Sequence, residues 1–97
     1  MKLIGVKTSN DWIHKYVAII EDEKGRTRHV RFGAYGYSDY TKHQDDARKH
    51  RYDLRHAAKE DWGKSGRLTA GFWAKHYLWE YKTKAEALQQ IKKKYFS

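Results

Sequence analysis

The amino-acid sequence predicts an α+β domain: a three-stranded antiparallel β-meander over about residues 2–33, followed by three α-helices over about residues 41–96. Three observations support this prediction. The first third of the chain has runs of β-branched and aromatic residues separated by turn formers. The rest has apolar residues at helical spacing, with a capping residue before each segment. The length of 97 residues, without any proline, indicates a single domain, residues 1–97.

The strands are expected at Leu3–Lys7, Lys15–Glu21 and Arg26–Phe32. Turn formers follow the first strand, and Asp22–Gly25 supplies a hairpin turn after the second because glycine accepts a positive φ. Alternation along the third strand places Val30 and Phe32 toward the core. The side chains expected to face outward are Thr27, His29 and Arg31.

The first helix is expected from about Thr41 to Glu60, with Asp39 or Thr41 as its N-cap. Neither glycine nor proline interrupts it, so a continuous, rigid helix is predicted. Ala47, Leu54 and Ala58 share one narrow apolar face.

A short second helix is expected from the capping residue Thr69 to Trp79. A third begins at Thr83, where Glu86 completes a capping box. We expect the first and last helices to pack on the sheet, with Trp62 and Trp79 anchoring the helices there. Aromatic rings should fill much of the core, because the chain has four Trp, eight Tyr and three Phe residues.

The charge of the chain is strongly positive and uneven. The formal net charge is +9, of which residues 1–40 contribute +2 and residues 41–97 contribute +7. A basic half indicates an anionic partner, most commonly nucleic acid. The alternatives are an acidic protein surface and a charge that serves solubility alone.

A basic stripe on the first helix is the sharpest candidate site. Its members are Arg48, Arg51, Arg55 and Lys59, spaced by three, four and four residues. This spacing lets one helix face follow a phosphate backbone, which arginine can grip with two hydrogen bonds. The alternative is a solvated stripe paired with neighbouring carboxylates.

Two further groups could extend this surface. The third strand offers basic side chains, of which Arg28 and Arg31 are the main candidates, with Arg26 and His29 beside them. The Gly/Tyr-rich loop at residues 33–40 offers Tyr35, Tyr37 and Tyr40, which could stack on bases, with Tyr37 and Tyr40 as the main candidates. The alternative is that these rings pack over the edge of the sheet.

No catalytic or cofactor motif is recognisable, so no enzyme activity and no cofactor are expected. The absence of cysteine excludes disulfides and thiolate metal sites. His50, Asp53 and His56 are of residue types that ligate metals. Steps of three residues along a helix make the outer two side chains diverge, so no metal site is expected there. Asp45 and Asp46 suit the first turn of a helix better than a nuclease metal site. No apolar run reaches the roughly 20 residues that span a bilayer.

Several short motifs together resemble a known family. They are Val30–Ala34, Gly36–Thr41, Arg48–Tyr52, Arg55-His56, Glu60-Asp61-Trp62, Thr69-Ala70-Gly71 and Trp79. In their order and spacing, these motifs are similar to those of a family of small basic proteins of large nucleocytoplasmic DNA viruses. That family has no established activity. The resemblance implies a viral protein found in the virion or in the cytoplasm or nucleus of the infected cell, not a secreted one.

The sequence therefore predicts a nucleic-acid-associated or packaging protein that binds phosphates, with DNA favoured and with little base specificity. The second hypothesis is a minor structural protein of the virion that contacts capsid proteins. A nuclease-like enzyme is the third. We also expect a polar network of Tyr37, Asp39, Tyr40, Arg51 and His56, joining the loop to the first helix.

Overall fold

A computed structural model describes residues 1–96 and shows the α+β fold that the sequence predicts. The strands are β1 (Lys2–Thr8), β2 (His14–Glu21) and β3 (Thr27–Ala34). The helices are α1 (Tyr40–His43), α2 (Asp46–His56), α3 (Ala70–Trp73) and α4 (Lys84–Tyr95). A 3₁₀ turn (Lys64–Gly66) precedes α3, and a π-helical segment (Ala74–Trp79) continues it.

The sheet is the predicted antiparallel meander in the order β1-β2-β3. The β2–β3 hairpin turns where predicted, since Gly25 has a φ of 79° and its N–H donates to the Asp22 carbonyl over 3.0 Å. Val30 and Phe32 are buried, while Thr27, His29 and Arg31 are exposed, so the predicted alternation along β3 is confirmed.

Aromatic rings fill much of the core, as predicted. Phe32 of the sheet contacts Trp73 and Tyr77, with ring centroids 5.7 and 5.6 Å apart. Aliphatic side chains from β2, the π-helical segment and α4 complete the cluster, with Ile20, Leu78 and Ile91 all nearly inaccessible. The core lies between one face of the sheet and the C-terminal helices. Within residues 1–96 no helix covers the other face, where Thr27, His29 and Arg31 are exposed.

The predicted first helix is two helices, because the chain turns sharply between them. Gln44 takes a left-handed conformation (φ 52°) and ends α1. Asp45 then caps α2, accepting hydrogen bonds from the N–H groups of Ala47 and Arg48. Asp39 caps α1, one of the two caps expected, but the prediction of a continuous helix to Glu60 is wrong, since α2 ends at His56.

The first predicted helix does not pack on the sheet as expected, whereas α4 contributes Ala87 and Ile91 to the core cluster that includes the sheet. The segment that lies against β3 is α3 with its π-helical continuation, and α2 packs on that continuation. Trp79 therefore anchors the π-helical segment to α2 rather than to the sheet, because its ring stacks on Tyr52 of α2 with centroids 4.4 Å apart. Tyr52 is buried and Leu54 is 68% exposed, so Tyr52 rather than the Ala47–Leu54–Ala58 face holds α2 in place.

Candidate nucleic-acid interface

A groove of about 630 Å³ opens beside the end of β3. It is lined by the end of β3 with the loop that follows, by one face of α2, by α3 with the π-helical segment, and by the start of β2. Ile13, Tyr37 and Trp79 give it an accessible apolar surface. Arg48 and Arg55 give it positive charge, and Glu60 adds one carboxylate. An apolar cleft with a few charged groups is the usual form of a ligand site.

The arginines of α2 reach the groove because of helical spacing. Arg48, Tyr52 and Arg55 are four and three residues apart and therefore share one face of the helix. Arg51 is exposed on α2 but does not line the groove, and Lys59 lies beyond the end of the helix. The structure thus brings Arg48 and Arg55 of the predicted stripe into the groove and leaves Arg51 and Lys59 outside it.

The carboxylates of α2 are occupied elsewhere. Asp46 accepts a 2.5 Å hydrogen bond from Tyr40, and Asp53 pairs with the Lys75 ammonium at 2.9 Å. Glu60, just beyond the helix, accepts from Trp62 and contacts His56. Within residues 1–96, the four basic side chains of the predicted stripe make no ion pair and no hydrogen bond, which excludes pairing with neighbouring carboxylates.

A stack of rings forms the wall of the groove at α2. Tyr52 lies between His56, at 4.1 Å, and Trp79, at 4.4 Å and only 6° from parallel. Burial raises the pKa of the Tyr52 hydroxyl, and the nearby charges of Glu60 and Asp53 add to the rise. The stack fixes the face of α2 that presents Arg48 and Arg55.

Glu60 holds the His56 end of this ring stack in place. Its two carboxylate oxygens contact His56 Nδ1 at 2.8 Å and Trp62 Nε1 at 3.0 Å. The side chain rests on Gly71, where an added Cβ would lie 2.9 Å from the Glu60 carboxyl carbon. A larger residue at position 71 would displace Glu60 and so disturb the His56 ring.

The Gly/Tyr-rich loop closes the end of the groove near β3. Gly33 has a φ of 78°, and an added Cβ there would lie 2.8 Å from the Leu78 side chain, so only glycine fits. Tyr37 lines the groove and is 72% exposed. This predicted side chain is therefore available to a ligand, beside the α2 arginines.

Other predicted side chains do not join this site. Tyr40 is only 3% exposed, so its ring is not available for stacking and its assignment to the surface is wrong. Arg31 alternates with Phe32 and lies on the opposite sheet face, in a second cavity of about 330 Å³ with Lys7 and His29. Arg28 pairs with Asp22 at the hairpin end of β3, about 20 Å along the strand from Ala34.

The predicted polar network is also absent as a unit. Asp39 pairs with Lys15, Tyr40 with Asp46, and His56 with Glu60, while Tyr37 and Arg51 are exposed. These are three separate interactions that support the wall of the groove or the loop rather than one connected chain.

Sequence reasoning missed the contribution of the β1–β2 connection. Ile13 at the end of that connection and His14 at the start of β2 line the groove, and Trp12, next to Ile13, is 76% exposed. The signal was a tryptophan placed directly after a turn-forming run of Ser9, Asn10 and Asp11, where a polar residue is usual.

Among residues 1–96, no three His, Asp or Glu side chains converge as a metal site would require. Asp45 is used as the N-cap of α2. The same described residues include no helix with the length and hydropathy needed to cross a bilayer.

Comparison with known proteins places the chain in a family. A family of unknown function (DUF5754) matches residues 4–56, more than half of the chain. The chain belongs to this family. No curated protein and no solved structure matches it. The matched DUF5754 region includes the sheet except its first two residues, the Gly/Tyr-rich loop and the arginines of α2, and the family description carries no activity.

Proposed function

We propose that the protein binds nucleic acid by its phosphates, through the arginines of α2 at the groove beside β3. One observation carries the proposal: Arg48 and Arg55 line the groove and, among residues 1–96, pair with no carboxylate, and Arg51 stands exposed next to them. An unpaired arginine beside a cleft retains its full capacity for bidentate contact with phosphate.

Electrostatics of the whole chain support the same proposal. The net charge of +9 attracts a polyanion over long range, and the unpaired arginines give it a place to dock. Contacts of this kind fix position but carry little sequence information. We therefore expect little base specificity, and the resemblance to proteins of large DNA viruses favours DNA as the partner.

The test is binding of fluorescein-labelled oligonucleotides, measured by anisotropy across a salt series. The triple variant Arg48→Glu, Arg51→Glu, Arg55→Glu is expected to lose at least about tenfold in affinity at low salt. The slope of log affinity against log salt should fall by about 2–3, because each phosphate contact contributes nearly one to that slope.

A matched control changes the same charge at another place. Lys2, Lys24 and Arg26 are exposed at the hairpin end of the sheet, away from the groove. Their triple replacement by Glu lowers the net charge equally and should keep most of the salt slope. Equal loss in both triple variants would contradict a defined site, and absence of wild-type binding at low salt would contradict the proposed function.

Contact with a protein surface is the second candidate. Trp12, Ile13, Tyr35 and Tyr37 are all more than half exposed, and such apolar groups often mark protein interfaces. The resemblance to proteins of large DNA viruses makes a capsid protein the expected partner. Salt-insensitive binding to a capsid protein, with no affinity for oligonucleotides, would favour this candidate over nucleic-acid packaging.

A further inference from the structure

Three aromatic side chains stand in solvent beside the groove. Trp12 is 76% exposed, Tyr37 72% and Tyr35 52%, and we refer to these three as the aromatic patch. Trp12 and Tyr35 contact each other edge to face, with centroids 5.5 Å apart. Exposed rings in contact with one another form a surface on which further flat groups can stack.

The loop that carries Trp12 is held in place by hydrogen bonds to backbone groups on its C-terminal side. The Asp11 carboxylate accepts hydrogen bonds from the N–H groups of Ile13 and His14, at 3.0 and 2.9 Å. The Tyr35 N–H donates to the Ile13 carbonyl over 3.0 Å, which ties this loop to the end of β3. The ring of Trp12 is therefore presented by an ordered turn rather than by a loose end.

The backbone of Trp12 is strained. Its φ of 61° lies in the left-handed region, which costs a bulky residue about 1–2 kcal/mol relative to the ordinary conformations. Asn10, two residues before, would tolerate that conformation better. A strained and exposed tryptophan contributes little to the core, so its position is better explained by contact with a ligand.

One member of the aromatic patch, Tyr37, lines the groove itself, while Trp12 and Tyr35 are chain neighbours of the lining residues Ile13 and Ala34. Tyr37 and Ile13 line the same groove as Arg48 and Arg55. A ligand that spans the groove thus meets flat rings on one side and guanidinium groups on the other. This combination of aromatic platforms and basic side chains is what single-stranded nucleic acid requires.

We propose that the aromatic patch stacks on unpaired bases, so that the protein selects single-stranded over double-stranded nucleic acid. This inference rests on the proposed function, since the α2 arginines hold the phosphates of the same strand. The bases of a duplex are stacked on one another and present only their edges, so they cannot lie flat on Trp12 or Tyr37. A single strand supplies both kinds of contact along its whole length, since every nucleotide carries a phosphate for the α2 arginines and a flat base for the aromatic patch.

The experiment compares a labelled oligo(dT) strand with a duplex of equal length, for the wild type and two patch variants. Trp12→Gly removes the ring and relieves the left-handed backbone, and Tyr37→Ala removes a ring on ordinary backbone. Each is expected to weaken oligo(dT) binding by about tenfold, the effect of losing one base–aromatic stack, with duplex binding unchanged. The salt slope should stay the same, because stacking releases no counterions.

Two variants serve as controls for this comparison. Trp12→Phe keeps a ring and should retain most of the affinity for oligo(dT). Leu54→Ala removes another exposed apolar side chain, 68% accessible on α2 but outside the groove, and should change nothing. Oligo(dT) should also quench the tryptophan emission of the wild type and quench that of Trp12→Gly less.

The outcomes separate the two proposals. If wild type binds both nucleic acids equally and the patch variants match it, the single-strand inference is overturned while phosphate binding stands. If wild type binds neither, the proposed function itself fails. Binding of a capsid protein that depends on Trp12, without binding of oligo(dT), would assign the aromatic patch to a protein partner and overturn the inference.

Discussion

A buried ion pair joins the sheet to the first helix. The Lys15 ammonium lies 2.6 Å from Asp39 Oδ2, and the two side chains are 9% and 1% exposed. Asp39 also caps α1, accepting from the Thr41 N–H at 3.0 Å. Burial alone would raise the pKa of Asp39, but the hydrogen bonds from Lys15 and Thr41 outweigh it and lower the pKa below its ordinary value of 3.8.

Asp39→Ala should therefore be strongly destabilising. It leaves the Lys15 ammonium buried without a partner, which typically costs about 3–5 kcal/mol in the free energy of unfolding. Urea denaturation at pH 7 measures this loss. The double variant Lys15→Met, Asp39→Asn should recover most of it, since both charges are removed and asparagine still caps a helix.

The same measurement at low pH checks the sign of the charge effect. A carboxyl whose pKa is lowered in the folded state stabilises above its unfolded pKa, and that contribution is lost as the pH falls through the folded pKa. The difference between wild type and Asp39→Ala should thus shrink below about pH 4. A difference that stays constant from pH 7 to pH 3 would contradict the role of the Asp39 charge.

Single residues were predictable where local geometry decides them. Gly25 in the hairpin, Asp39 before α1 and Thr83 before α4 were identified because turns and caps depend on neighbours in the chain. Tyr40 was not, because its burial depends on contacts that the sequence does not display. Its ring lies beneath the Lys49 ammonium, and its hydroxyl donates to Asp46.

At the scale of the elements, the junction of α1 and α2 decides where the arginines point. A continuous helix would run straight through residues 43–46, whereas the turn at Gln44 redirects the chain and α2 starts afresh at Asp45. Residues 43–46 contain neither glycine nor proline, the residues that usually indicate the end of a helix in a sequence. The available signal was Asp45 itself, a good N-cap in the middle of the predicted helix.

The left-handed backbone at Gln44 can be tested by paired substitutions. Gln44→Gly and Gln44→Ala both remove the side-chain hydrogen bond to the Lys82 carbonyl, so they differ chiefly in backbone freedom. Glycine accepts a φ of 52° without strain, and alanine does not. The glycine variant should be more stable by about 1 kcal/mol in thermal or urea unfolding. Equal stabilities would contradict the conformation assigned to this junction.

The inner face of α2 shows why helix packing was harder to predict than helix existence. Leu54 is the natural apolar anchor by composition, yet Tyr52 is buried and Leu54 is exposed. Tyr52 is preferred because Trp79 and His56 offer it flat partners on either side. Such stacking depends on a tryptophan 27 positions away, which a helical wheel does not include.

At the scale of the whole molecule, the sheet and the sequence order of its strands followed from local pattern. The groove did not, because it is assembled from four separate parts of the chain, from Ile13 to Trp79. The two groups of basic residues predicted as one surface are consequently divided. Arg48 and Arg55 face the groove, while Arg31 lies with Lys7 and His29 on the uncovered face of the sheet.

Solution NMR can distinguish these two basic surfaces. Amide chemical shifts of ¹⁵N-labelled protein would be followed by NMR as unlabelled oligo(dT) is added. We predict the largest changes at residues 12–14, 33–38 and 48–56, with shifts of the indole N–H groups of Trp12 and Trp79. Changes confined to Lys7, His29 and Arg31 would place binding on the opposite face of the sheet, and either that result or unchanged spectra would contradict the α2 groove as the nucleic-acid site.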